Sequence, residues 1–75
     1  MAAKKKPNLD KLMSTNLRKI REKAKMSQND LAAKAGITQG TISAIEGGLR
    51  SPSMGMIATL ANALGVQGRE FFKEI

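Results

Sequence analysis

The side chains whose chemistry stands out in these 75 residues are short and mostly uncharged, and they crowd into one stretch: Ser27, Gln28, Gln39, Thr41 and Ser43, with Gly40, Ala44 and Gly48 among them. Amides and hydroxyls donate and accept hydrogen bonds without carrying charge. Solvated helix faces usually carry Lys and Glu. A face made of Gln39, Gly40, Thr41, Ser43 and Ala44 at the start of a helix instead suits close approach to base edges and phosphates. Such chemistry is recognition without bond-making. There is no His or Cys to act as base or nucleophile. The six carboxylates are scattered, and Ser and Thr fall where helix caps and phosphate contacts account for them. An enzyme is not expected, nor a cofactor. The lack of Cys and His also removes disulfides and a structural zinc as supports for a small core. Self-association is the remaining support, which points to a homodimer.

Two short helices with a tight corner between them must position that face. Ser27 is the expected cap of one helix, with Asp30 three residues on in a capping-box position, and Leu31, Ala32 and Ala35 as its apolar face. Gly36 ends it, because the turn needs a residue at ease at positive φ. Thr38 caps the next helix, which buries Ile42 and Ile45 and stops at Gly47-Gly48. Ala32 supplies the small contact that lets the two helices cross closely. Upstream, Leu9, Leu12, Met13, Leu17, Ile20 and Ala24 keep helical spacing, so a first helix begins either after Asn8 or at a Ser14/Thr15 cap and ends near Lys25. Downstream, Ser53 caps a fourth helix with Ile57, Leu60, Ala61 and Leu64 on one stripe, closed by Gly65. A short amphipathic segment with Phe71, Phe72 and Ile75 reads as a fifth. Gln67 stands where a capping Ser or Thr is usual and Gly68 follows it, which predicts a short or frayed element. The expectation is an all-α, compact five-helix bundle: a flexible basic arm over 1–7 and one domain over 8–75.

The ordered pattern Ser27-Gln28-x-x-Leu31-Ala32-x-x-Ala35-Gly36-Ile37, then Thr38-Gln39-x-x-Ile42-Ser43-x-Ile45-Glu46-x-Gly48, resembles the phage repressor and Cro (XRE-type) helix-turn-helix family. The likeness runs on through Arg50-x-Pro52-Ser53 and Leu60-Ala61-x-Ala63-Leu64-Gly65-Val66 and covers about residues 14–72. It implies a lambda-repressor-like DNA-binding domain whose recognition helix, residues 39–46, enters the major groove. Gln28 then matches a phosphate-clamping Gln, with Ser27 beside it. Gln39 matches the first base-reading position, where an amide pairs bidentately with adenine N6/N7. Ala44 sits where relatives touch a thymine methyl, while Thr41, Arg50 and the backbone at Gly47-Gly48 match phosphate contacts. Gly40 departs from the pattern, since relatives often carry a second base-reading side chain there. Arg21 and Glu46 fall where some relatives place a largely buried ion pair. Lys4-Lys5-Lys6-Pro7 is similar to a basic arm that reaches around the duplex.

Charge placement agrees with a polyanionic partner. Residues 1–25 hold nine Lys/Arg against Asp10 and Glu22, whereas residues 26–75 hold Lys34, Arg50, Arg69 and Lys73 against four carboxylates. A solubilising tail and a solvated helix face would look alike by this measure. Phe71 and Phe72 are the only aromatics, too few for the stacking platforms of single-strand and RNA binders. No apolar run approaches a membrane span, so a cytoplasmic, nucleoid-associated protein with no membrane or metal partner is expected.

Three readings compete. The first is a repressor-like, sequence-specific regulator that binds double-stranded DNA as a homodimer, with Phe71 and Phe72 on the dimer surface unless they are core. The second is an antitoxin or coactivator-like interaction module on the same fold. The third is non-specific DNA compaction through the arm. At single residues, Thr41 and Ser43 either face the groove or bond their own helix, and Arg50 either meets phosphate or is a solvated loop charge.

Overall fold

The computed structural model describes residues 9–74; the basic arm with Lys4, Lys5 and Lys6, and Ile75 at the other end, lie outside the described residues. Four α-helices and one 3₁₀ turn follow in order: α1 Leu9–Lys23, α2 Gln28–Ala35, α3 Gln39–Glu46, α4 Met54–Leu64 and the turn Gly68–Phe72. No strand occurs among the described residues.

The earlier of the two starts for α1 is the one observed. Ser14 and Thr15 lie inside the helix. The Ser14 hydroxyl points back to the Asp10 carbonyl four residues earlier at 2.8 Å, so it does not cap a new one. The stripe that packs inward is narrower than the periodicity predicts. Met13 and Leu17 are buried, Ile20 is partly so, and Leu9 and Ala24 are exposed. Arg21 is drawn onto the same buried face. The helix ends with Lys25 at φ 59°, the left-handed conformation, as Met26 N–H donates to the Arg21 carbonyl at 3.2 Å.

The corner between α2 and α3 forms as its residues require. Ser27 Oγ accepts from Asp30 N–H at 2.9 Å while the Asp30 carboxylate accepts from Ser27 N–H at 3.0 Å, a complete capping box. Because its hydrogen bonds favour the charged form, the Asp30 carboxyl lies below its ordinary value: the backbone Ser27 N–H acts first and the Ser27 side chain second. Gly36 takes φ 73°, which lets Ile37 N–H reach the Ala32 carbonyl at 3.0 Å and turns the chain within three residues. Thr38 Oγ1 then accepts from Thr41 N–H at 3.1 Å to open α3. At the far end of α3, Gly48, not Gly47, adopts the left-handed conformation, at φ 77°.

Leu17, Leu31, Ile42, Ile45, Ile57, Leu60 and Phe71 are the largest fully enclosed side chains and form one core between the helices. Ser53 caps α4 by accepting from Met56 N–H at 3.0 Å.

The expected fifth helix is instead a five-residue 3₁₀ turn. Gln67 occupies the cap position without a side-chain hydrogen bond, and Lys73 is already extended at φ −72°, ψ 141°. So few uncapped residues cannot offset the cost of an α-helical nucleus. The segment is held by tertiary contact. Phe71 plugs the core, and Asn16 Nδ2 donates to the Phe71 and Lys73 carbonyls, both at 2.8 Å. This corrects the placement of Phe71 on a dimer surface, because its ring has no exposed area left for a second chain. Phe72 is partly buried against the same core.

Candidate nucleic-acid interface

The N-termini of α2 and α3 meet at one edge of the molecule. Gln28, the first residue of α2, and Gln39, the first of α3, touch there: Gln39 Nε2 donates to Gln28 Oε1 at 2.6 Å. Gln28 Nε2 in turn donates to Glu46 Oε1 at 3.1 Å. Glu46 is gripped from behind by Arg21, whose Nε donates to Oε2 at 2.6 Å and whose Nη2 donates to Oε1 at 3.0 Å. Arg21 Nη1 also donates to the Met26 carbonyl at 2.8 Å. A continuous polar chain therefore runs from the α1 ion pair to the exposed Gln39 amide.

The ion pair is enclosed. The Arg21 and Glu46 side chains keep only 11% and 4% of their exposure. The hydrogen bond to Glu46 raises the guanidinium above its already high ordinary pKa, against the opposing pull of desolvation. Among the described residues, no buried side-chain nitrogen or oxygen lacks a hydrogen-bond partner.

Around this chain, Gln39, Gly40 and Ser43 are exposed, and Thr41 and Ala44 are half-buried. The Thr41 hydroxyl lies 2.8 Å from Thr38 Oγ1, so part of its bonding capacity is used within its own helix start. A Cβ at Gly40 would meet nothing closer than Thr38 Oγ1 at 4.0 Å, so the fold itself does not require glycine there. Gly48 and Arg50 are exposed at the end of α3 and in the loop after it. Leu49 beside them is 87% exposed.

Three contributors escape a reading based on residue type. Arg18 lines a depression of about 180 Å³ together with Gln28, Ser43, Glu46 and Gly47; only its spacing on α1, one turn before Glu22, hinted at a position near the site. Ser14 and Asn16 are buried polar residues that tie α1 to other elements. Ser14 Oγ shares its donor between Asp10 O and Ile45 O at 2.7 Å, the latter at the end of α3. Their interruption of the apolar stripe beside Met13 and Leu17 was the available signal.

The helix-turn-helix family model matches residues 17–71, and the chain belongs to that family, of the XRE type. It is thus a helix-turn-helix domain of the kind found in HTH-type transcriptional regulators. It is 42% identical over 55 residues to an uncharacterized HTH-type transcriptional regulator of Sinorhizobium fredii, an alignment that takes in 73% of this chain and 28% of that protein. A second HTH-type regulator, from Methanothermobacter thermautotrophicus, is 38% identical over 63 residues, covering 84% of this chain and 87% of its own. Among solved structures, the restriction-modification controller protein C.AhdI of Aeromonas hydrophila superposes with a TM-score of 0.81 at 32% identity, over 84% of this chain and 96% of that one. The controller protein C.Esp1396I, solved as a tetramer on its natural 35-base-pair operator, gives 0.81 at 30% identity over 89% and 88%. No described helix is long and apolar enough to cross a membrane.

Proposed function

We propose that this chain is a sequence-specific, repressor-like regulator that binds double-stranded DNA as a homodimer, with α3 in the major groove. The observation that carries the reading is the Gln39–Gln28 contact at the joined starts of α3 and α2. It leaves Gln39 with a carbonyl oxygen and one N–H uncommitted, the two groups adenine N6 and N7 require. Gln28 then serves as the phosphate-side support, with Ser27, the Gly48 backbone and Arg50 as further phosphate contacts, while Gly40, Thr41, Ser43 and Ala44 complete the groove face. Lys4, Lys5 and Lys6 add non-specific attraction. The tetramer of C.Esp1396I on its operator supports binding as an oligomer, and for a two-fold dimer the half-sites lie about one helical turn apart. Burial of Phe71 leaves Phe72 as the one ring of the pair available to a dimer surface.

Selection of bound duplexes from a random library tests this proposal. The expected result is a two-fold-symmetric motif. Gln39→Ala then costs roughly 1–3 kcal/mol on the selected site and relaxes one base position. Equal losses on selected and random DNA would sink the base-reading role.

A further inference from the structure

Glu46 and the Gln39 amide do not touch, yet the chemistry between them is directional. Glu46 Oε1 already accepts from Arg21 Nη2 at 3.0 Å, and Oε2 accepts from Arg21 Nε at 2.6 Å. A carboxylate held in this way only accepts. The group Gln28 turns toward it must therefore be its NH₂, at 3.1 Å. That leaves the Gln28 carbonyl oxygen facing Gln39, so Gln39 in turn must offer its own NH₂, at 2.6 Å. Reversing Gln28 would set oxygen against oxygen at the part-buried Glu46 contact, where an unmade bond is costly, and reversing Gln39 would forfeit its 2.6 Å bond to Gln28.

We infer that Glu46 is a positioning residue for specificity: acting through Gln28, it fixes which end of the Gln39 amide is oxygen and which is N–H. The inference rests on Gln39 reading a base. In the major groove an A·T pair shows, in order, the N7 acceptor, the N6 donor, the O4 acceptor and the thymine methyl, and a T·A pair shows the reverse order. An amide of fixed direction matches adenine on one strand, whereas an amide free to flip matches adenine on either. The Glu46–Gln28 link therefore adds little to the number of contacts. What it supplies is discrimination between A·T and T·A at one position.

The test uses the full chain and duplex libraries varied only at the position that Gln39→Ala relaxes, with the A·T to T·A binding ratio as readout. Loss of a phosphate contact lowers binding to all duplexes alike and leaves this ratio unmoved. The wild-type ratio is expected in the range of roughly 5- to 150-fold for a bidentate pair. Gln28→Met, which keeps the length but neither donates nor accepts as the amide does, should bring the ratio to near parity. Gln28→Glu alone sets a second carboxylate against Glu46 Oε1, where the amide donated at 3.1 Å, so it should weaken binding and lower the ratio. Glu46→Gln should lower the ratio, and adding Gln28→Glu to it should restore the ratio. A Gln28→Met ratio equal to wild type overturns the proposal, as does failure of the Glu46→Gln/Gln28→Glu pair to recover it. If Glu46→Gln does not fold, Gln28→Met decides alone, since that side chain is only half-buried. A wild-type chain with no preference at any position overturns the base-reading role itself and the inference with it.

Discussion

Replacing Arg21 by Met removes three hydrogen bonds at once, two to Glu46 at 2.6 and 3.0 Å and one to the Met26 carbonyl at 2.8 Å. The Glu46 side chain is 4% exposed, so water cannot replace the guanidinium. The carboxylate is left with the Gln28 amide as its hydrogen-bond donor. Breaking a buried pair from one side costs about 3–5 kcal/mol because the surviving charge stays desolvated. A chain of this size has about 4–11 kcal/mol to lose. The substitution is thus expected to consume a large share of the stability and to lower Tm by more than about 12 °C. Urea and thermal melts followed by circular dichroism measure both quantities. Replacing both members, Arg21→Met with Glu46→Met, should recover most of the loss, since two packed apolar side chains often match a buried pair. The reasoning fails if Arg21→Met alone costs under about 1 kcal/mol, the figure for solvent-exposed pairs. It fails equally if the double variant melts no higher than the single one.

Three further outcomes follow from single contacts. The Asp30 carboxyl lies below its ordinary value in the folded chain, so its contribution is present above the unfolded pKa, about 3.9, and is lost as pH falls through the folded value. The Tm gap between wild type and Asp30→Asn should accordingly narrow on acidification from pH 6 to pH 2.5, and an unchanged gap refutes this origin. Lys25 holds a left-handed φ of 59°, so Lys25→Gly should raise stability by about 0.5–1 kcal/mol in urea melts, relieved strain exceeding the added chain entropy; a loss refutes it. Asn16→Ala strips the side-chain donor from the Phe71 and Lys73 carbonyls and should cost about 1–3 kcal/mol. Hydrogen exchange should then speed up first in residues 68–72, and uniform acceleration across the chain would count against a local tether.

The elements bounded by caps were legible because a cap is a local device. Ser27, Gly36, Thr38, Ser53 and Gly65 each end or start a helix through bonds to residues two to four positions away. Pairing of Arg21 with Glu46 was legible through family likeness alone, since nothing within 25 residues of chain links them locally. The last segment misled because its apolar pattern resembles a helix, whereas its conformation is decided at a distance by Asn16 and the core seat of Phe71. That seat also removed Phe71 from the proposed dimer surface: a ring spaced for an amphipathic helix points outward or inward according to a turn that no local residue specifies. The Gln28–Glu46 contact was likewise invisible, because an amide at a helix start has many available partners and only the fold selects one.

The lengths of the helices explain why so much polar bonding converges on α3. Eight residues are too few for a helix to hold its shape or direction alone, yet a base-reading helix must be placed to within a fraction of a hydrogen-bond length. The two ends of α3 are treated differently. At its C-terminal end, Ile45 is buried, its carbonyl accepts from Ser14, and Glu46 is clamped by Arg21, so α1 carries the load. At its N-terminal end, Thr38 satisfies a backbone donor and Gln39 meets Gln28, so local bonds set the geometry while the surface stays open. Substitutions at the clamped end should therefore register first in melting, and substitutions at the open end first in which DNA is bound. Glu46 belongs to both groups because both its oxygens accept from the guanidinium and one of them, Oε1, also accepts from the amide that leads to Gln39.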